Sequence, residues 1–224
     1  MKRFFIAFIA GVVLAVTPAL SYATFLPVGS SVTLDQLVAG GTLTVGDKLF
    51  DHFSYSKTGD MPAAGGVTVQ GIVDSAGNYG ILFTGTFQDL FGGGASDALI
   101  KFFVTVLDPT RQIVGANLFG DPTVTGTGLA SLTETFVPLA GSMHIYDNTT
   151  HTGIDTASSS VNPSQAQISV QKDILAFANS DNSIAGFTFV GQTFVQTPLP
   201  GSLVLLLTGG LTLVPICRMR RRQK

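Results

Sequence analysis

Apolar and polar residues alternate through most of the chain between residues 24 and 197. The longest stripe puts Ile100, Phe102, Val104 and Val106 on one side of the backbone. Because successive side chains of a strand point to opposite faces, a period of two predicts strands with one buried face. The pattern predicts nine or ten strands, in the stretches 42–45, 48–56, 67–73, 81–87, 100–106, 113–119, 128–136, 142–146, 168–177 and 184–194. One helical turn is predicted at residues 33–37.

Turn-forming residues separate these strands. Gly46-Asp47 suits a two-residue hairpin before the strand at Lys48, and Asp108-Pro109 suits a type I turn. The polar stretch 147–165 is predicted to be a long exposed loop. Fourteen phenylalanines between residues 24 and 197 suit the space between two sheets. The sequence therefore predicts an all-β fold, an antiparallel β-sandwich of jelly-roll-like form, over residues 24–197.

The N-terminal segment has the three parts of a secretory signal peptide. Lys2 and Arg3 form a basic start, and an uncharged apolar run covers residues 4–16. Small residues follow at Ser21 and Ala23, the −3 and −1 positions of a cleavage site. Residues 1–23 are therefore predicted to engage the Sec translocon and to be removed by signal peptidase after Ala23.

The C-terminal segment has the pattern of a transmembrane helix. Residues 201–217 contain no charged side chain, and at about 1.5 Å per residue they span roughly 25 Å. A basic cluster follows at once, made of Arg218, Arg220, Arg221, Arg222 and Lys224. Such a cluster stays on the cytoplasmic side of a membrane. The exported precursor is thus predicted to be anchored in the membrane with its β domain outside the cytoplasm and its basic tail inside.

The residues before this helix carry a family resemblance. The triplet Pro198, Leu199 and Pro200, followed by the apolar run and the arginine cluster, resembles the PEP-CTERM bacterial sorting signal. Leu199 stands in place of the usual glutamate, which resembles the VPLPA variant of that signal. The resemblance covers 27 residues, 198–224, and implies recognition by an exosortase, removal of the tail and delivery to the cell surface or matrix. The family occurs mostly in bacteria that make exopolysaccharide.

The distribution of charge excludes one class of partner. Residues 24–197 hold all fourteen acidic residues and only five of the twelve basic ones. An acidic domain with five scattered cations cannot neutralise a run of phosphates, so nucleic acid is not an expected partner. The single cysteine, Cys217, excludes a disulfide scaffold.

The β domain offers few candidates for catalysis or metal binding. His52, His144 and His151 have no ligand spacing, and Asp51 and His52 are expected to point to opposite faces of a strand. Glu134, the only glutamate, is expected to face outward from its strand. The best calcium candidates are the oxygen pairs of Asp147-Asn148 and Asp181-Asn182, which lack an EF-hand pattern.

The sequence thus predicts an exported structural protein of the cell surface or extracellular matrix, without intrinsic catalysis and without a cofactor. The alternative is a surface module that binds exopolysaccharide or calcium. The absence of tryptophan and the small number of tyrosines count against aromatic sugar platforms without removing that alternative.

Overall fold

The computed structural model describes residues 25–137, 141–148 and 153–198. In this part of the chain the backbone forms thirteen strands and one short α-helix. The strands are β1 (Phe25–Thr33), β2 (Leu43–Val45), β3 (Lys48–Lys57), β4 (Thr68–Asp74), β5 (Tyr79–Leu90), β6 (Ser96–Val106), β7 (Arg111–Gly120), β8 (Thr123–Thr125), β9 (Gly128–Val137), β10 (Ser142–Asp147), β11 (Asp155–Gln165), β12 (Gln167–Ala178) and β13 (Ile184–Pro198). The helix, α1, spans Leu34–Val38, with a 3₁₀ turn at Ala64–Gly66.

The strands form two antiparallel sheets. Sheet A has the order β1-β4-β5-β13-β7-β11, with β8 pairing with β13. Sheet B has the order β10-β9-β12-β6-β3-β2. The C-terminal strand β13 is therefore central, and it joins β5 on one side to β7 on the other.

The two sheets pack face to face over one apolar core. Phe50 and Phe102 of sheet B are fully or almost fully buried, as are Phe83 and Phe194 of sheet A. The rings of Phe50 and Phe194 lie 6.0 Å apart, and those of Phe83 and Phe102 lie 5.9 Å apart. Contacts of this kind between sheets define a sandwich. The prediction of an antiparallel β-sandwich is therefore confirmed, and its finer jelly-roll-like form stays a prediction.

Local signals in the sequence are confirmed at the turns. Gly46 has φ +57° between β2 and β3, and a Cβ there would lie 2.4 Å from the Tyr79 ring. The Arg111 N–H donates to the Asp108 carbonyl at 3.1 Å, which closes the turn around Pro109. The predicted helical turn is α1, capped by Thr33.

The prediction of a long polar loop at residues 147–165 is wrong over its second half. Residues Asp155–Gln165 form β11, the edge strand of sheet A, paired with β7. An edge strand has a neighbour on one side only, so it can be exposed on alternate residues and still be fixed by its backbone hydrogen bonds. The Ser/Thr-rich composition that suggested a loop is compatible with this position. β1 and β8 are also strands that the apolar pattern does not predict.

None of the helices in the described part of the chain has the length and hydrophobicity needed to cross a membrane. The predicted signal peptide at residues 1–23 and the predicted transmembrane helix at 201–217 lie outside the described residues.

Candidate functional site

A groove lined by both polar and apolar groups lies on the outer face of sheet A. Its volume is about 460 Å³, within the range of about 300–1,000 Å³ that ligand pockets occupy. Its polar lining comes from the β4–β5 turn and from three neighbouring strands, namely Asp74, Asn78, Asn117, Thr156, Ser158 and Thr193. We call this surface the sheet A groove.

Strand register brings these residues together. Thr193 of β13 pairs with Asn117 of β7, and Asn117 pairs with Ser158 of β11, so the three share one face. On the other side Thr193 pairs with Gly80, where a Cβ would lie 1.8 Å from the Gln192 carbonyl oxygen. The absence of a side chain at Gly80 lets the β4–β5 turn approach Thr193.

Asp74 organises the groove through hydrogen bonds from neutral donors. Its Oδ1 accepts from the backbone N–H groups of Ala76 (2.9 Å) and Asn78 (3.0 Å). Its Oδ2 accepts from the Asn78 side chain (3.0 Å) and from the Thr193 hydroxyl (2.8 Å). Partial burial raises the pKa of Asp74, but these hydrogen bonds outweigh it and hold the pKa below the ordinary value. Asp74 is therefore a carboxylate at neutral pH.

Thr193, which donates to Asp74, in turn accepts a hydrogen bond from Asn117. Thr193 is 1% exposed, and its Oγ1 accepts from Asn117 Nδ2 at 3.2 Å. Because Thr193 gives its single hydroxyl proton to Asp74, it can only accept from Asn117. The relay from Asn117 through Thr193 to Asp74 fixes the orientation of the Asn117 amide.

Asp121, between β7 and β8 and outside the groove, also accepts hydrogen bonds from neutral donors. Asp121 Oδ1 accepts from the backbone N–H groups of Thr188 and Phe189, both at 2.9 Å. Its Oδ2 accepts from the Thr188 hydroxyl. These bonds satisfy two backbone N–H groups of β13 at the point where its register against β5 shifts, between Phe187 and Phe189.

The expectation that Glu134 faces outward is wrong. Glu134 is 0% exposed and lies on the inner face of sheet B, in an ion pair with Lys172, which is also 0% exposed. Burial raises the pKa of Glu134 and lowers the pKa of Lys172, while each partner opposes the shift of the other. The two residues are directly opposite on β9 and β12. Lys172 contacts Glu134 Oε2, and Oε1 has no hydrogen-bond partner in the described part of the chain. Since both residues are shielded from solvent, the ion pair is part of the core.

Two further acids share the outer face of sheet B. Asp97 on β6 and Asp173 on β12 are both half-buried, and since Asp173 pairs with Leu99, Asp97 lies two residues away from it in the register. Burial, together with a hydrogen bond and charge repulsion from Asp97, raises the pKa of Asp173 to about 6. The sequence pattern gave no sign of this pair, because its members are far apart along the chain.

The expectation that Asp51 and His52 do not meet is also wrong. His52 Nδ1 lies 2.9 Å from Asp51 Oδ1. His52 has φ +54°, and the register of β3 against β6 shifts between Asp51 and Ser54. The bulge breaks the alternation on which the expectation depended. The His52 side chain is 72% exposed and lies edge-on to Phe103, so the dyad stands on the surface.

His144 is not brought together with His52. His144 on β10 is exposed, shares a hydrogen bond of 2.9 Å with the Ser131 hydroxyl and stacks on Tyr146 at 5.1 Å. His151 lies outside the described residues. Across residues 25–137, 141–148 and 153–198, no group of three or more His, Cys, Asp or Glu side chains could hold a metal ion. Calcium binding by the oxygen pairs of Asp147-Asn148 and Asp181-Asn182 stays a prediction.

Of the predicted processing residues, the structure places one. Pro198 is the last residue of β13 and pairs with Arg111. Leu199 and Pro200 lie outside the described residues, as do Arg218, Arg220, Arg221, Arg222 and Lys224 and the cleavage-site residues Ser21 and Ala23.

Comparisons with known proteins add little to this picture. No protein-family model matches the chain, and no curated protein sequence matches it. One similar solved structure is the enzymatically active domain of bacteriophage CBA120 tailspike protein 4, at 14% identity and a TM-score of 0.30. It aligns with 64% of this chain, which spans 19% of the tailspike chain. Another is TmCBM61 in complex with β-1,4-galactotriose, at 10% identity, 64% and 88% coverage and a TM-score of 0.29. Similarity this low assigns neither activity nor ligand.

Proposed function

We propose that this chain is an exported structural protein of the cell surface or extracellular matrix, carrying an exosortase-type sorting signal at residues 198–224. The observation that carries the proposal is the fixed order of a proline triplet, an uncharged run and an arginine cluster. The basic cluster resists translocation and the apolar run holds the precursor in the membrane. An exosortase would then release the β domain.

The last strand runs into the proposed recognition element, since Pro198, the first residue of the triplet, belongs to β13 and pairs with Arg111. A membrane enzyme acting at the triplet would meet its substrate directly beside the last strand.

Mass spectrometry of the mature protein from an exosortase-containing bacterium tests the proposal. We expect the N-terminus at Thr24 and the loss of the arginine cluster. A mature protein that retains Arg218 and Lys224 would overturn the sorting proposal.

Proline variants locate the recognition element. Replacing Pro198 and Pro200 by alanine is expected to leave the tail uncut, because the rigid extended backbone before the membrane is lost. Pro27→Ala is the matched control, since Pro27 is exposed on the edge strand β1. Equal processing of all variants would count against the triplet.

A second candidate function is binding of exopolysaccharide by the surface of the β domain. The sheet A groove favours it, because its amide and hydroxyl groups are of the kind that recognise neutral polar ligands. The calcium form of this alternative has no comparable support in the described residues.

A further inference from the structure

We infer that the sheet A groove binds an internal stretch of a neutral, hydroxyl-rich polysaccharide. The inference rests on the proposed function, since an exported matrix protein meets such polymers outside the cell. It goes further by naming the site and the chemical class of the ligand.

The first argument is the hydrogen-bonding capacity that the relay leaves in the groove. Asn117 uses one N–H on Thr193, and its side chain makes no other hydrogen bond among the described residues. Its Oδ1 and its second N–H can therefore bind a ligand. Sugar hydroxyls both donate and accept, which matches an amide that presents one acceptor and one donor.

The second argument is preorganisation. The Asn117 amide cannot rotate without losing its bond to Thr193, and Thr193 cannot change roles without losing its bond to Asp74. A site held in this way loses less conformational entropy when a ligand binds. The acid at the base of the relay therefore acts on the ligand indirectly, as a positioning residue.

The third argument concerns charge. The residues that line the groove in the described part of the chain include the Asp74 carboxylate and no lysine or arginine. An anionic polymer such as a polyuronide would bring negative charge towards Asp74 with no cation to compensate. The groove therefore selects against anionic polysaccharides and against phosphate esters.

The fourth argument separates binding from catalysis. The Asp74 oxygens already accept hydrogen bonds from Ala76, Asn78 and Thr193, and the pKa of Asp74 is held below its ordinary value. A carboxylate in that state is a poor proton donor or acceptor near neutral pH. We assign the groove a binding role without hydrolysis.

The side of the groove formed by β11 offers further contacts for an extended polymer. Thr156 and Ser158 are exposed on β11, the edge strand of sheet A. Their hydroxyls add two groups that can donate or accept. Ala157, which is partly exposed, supplies apolar surface for the C–H face of a sugar ring, and the buried Phe119 ring lies at the base of the groove against Gly191. A chain crossing β7 towards the edge would meet both kinds of contact.

Affinity electrophoresis of the full chain tests the inference. The chain runs in native gels containing dextran, a soluble β-glucan, a β-galactan or polygalacturonate, with a polyoxyethylene detergent so that no sugar-based detergent competes. We expect at least one neutral polymer to retard the protein and polygalacturonate to have no effect.

Two variants assign the binding to the groove. Ser158→Trp fills the groove from an exposed position and is expected to abolish the retardation. Ser160→Trp is the matched control, because Ser160 is exposed on the same strand and does not line the groove. Thr193→Val releases the Asn117 amide and is expected to weaken binding about tenfold, the equivalent of one well-placed hydrogen bond.

The outcomes are distinct. Retardation that Ser158→Trp removes and Ser160→Trp preserves supports the inference. Retardation unchanged by Ser158→Trp overturns the groove as the site, and binding to polygalacturonate in preference overturns the ligand class. Retardation by none of the neutral polymers overturns the inference as a whole. In every case the sorting proposal stands or falls separately, on the mass of the mature protein.

Discussion

The carboxylates of the two sheets have different kinds of neighbour: neutral hydrogen-bond donors in sheet A, and charged or acidic side chains in sheet B. In sheet A, Asp74 and Asp121 accept hydrogen bonds from backbone amides and hydroxyls. In sheet B, Glu134 is held by the charge of Lys172, and Asp173 faces another acid, Asp97. Neutral donors stabilise the ionised form without introducing a counter-charge, whereas an ion pair or a shared proton ties the acid to one partner.

The difference has a functional meaning. Sheet A carries a fixed negative charge beneath an ordered amide and hydroxyl surface, which is the arrangement on which the proposed polysaccharide site depends. In sheet B, the charge of Glu134 depends on its partner Lys172, and the charge of Asp173 depends on pH. Measurements of the free energy of unfolding can distinguish carboxylates held by neutral donors from those held by charged or acidic neighbours. The loss of a counter-charge should reduce this free energy most.

Removing the cation of sheet B should destabilise the protein most. Lys172→Met leaves Glu134 buried without its partner, which typically costs about 3–5 kcal/mol. Urea unfolding of the full chain, followed by circular dichroism because the protein has no tryptophan, measures the change. Lys101→Met, at an exposed position of the adjacent strand β6, is the control and should have little effect. The double variant Lys172→Met with Glu134→Leu should recover most of the loss, and a failure to recover would argue against the ion pair as the cause.

Removing the hydrogen-bonded acid of sheet A should have a smaller effect that depends on pH. Asp74→Ala should cost about 1.5–3 kcal/mol at pH 7, the range for hydrogen bonds to a charged group. Because the folded-state pKa lies below the ordinary value of 3.8, this stability is present above pH 3.8 and is lost as the pH falls through the folded pKa. Asp181→Ala, at an exposed loop position, is the matched control. A difference between Asp74→Ala and the parent that persists unchanged at pH 2 would contradict this account.

Neutralising the acid pair of sheet B should instead stabilise the protein. The pKa of Asp173 is raised from 3.8 to about 6, so the protein is relatively most stable below pH 3.8 and loses that stability as the pH rises through 6. Asp173→Asn should therefore raise Tm by about 2–4 °C at pH 7.5 and leave it unchanged near pH 3. Asp97→Asn should act in the same direction. An equal rise at both pH values would show that charge repulsion is not the reason.

The smallest expected effect tests the relay itself. Thr193→Val keeps the shape of a 1% exposed side chain and removes its hydroxyl, at a cost of about 1 kcal/mol. Thr197→Val on the same strand is the control, because Thr197 is exposed. Thermal unfolding of the two variants gives the comparison, and equal losses would exclude a special role for Thr193.

The layered fold was predictable because most strands bury one face. Alternation of apolar residues predicted β3, β6, β12 and β13 within a few residues of their observed ends. It could not predict β11, whose position at the sheet edge leaves alternate side chains exposed and polar. The apolar alternation thus predicts the strands that contribute to the core, but it does not predict polar strands at the edge of a sheet.

The candidate site was much less predictable. In the sequence Asp74 is only one of fourteen acids, and its partner Thr193 lies 119 residues away along the chain. The position of Glu134 could have been inferred, since it shares the parity of Leu132 and Phe136, which are buried. A charged residue on an apolar stripe signals a buried partner, but the sequence does not say which one. At Asp51 and His52 the bulge changes which face each side chain occupies, and nothing in the sequence marks it.

The central position of β13 has a mechanical consequence. This strand pairs with β5 over Ile184–Thr193 and with β7 over Val190–Pro198, so its ladders lie on both sides. A pull transmitted from the C-terminal side at Pro198 runs along the strand and loads both ladders in shear, where many hydrogen bonds must break together. A protein tethered through this end would resist tension at the point where the load enters, whereas a pull on the edge strand β1 would act on a single ladder.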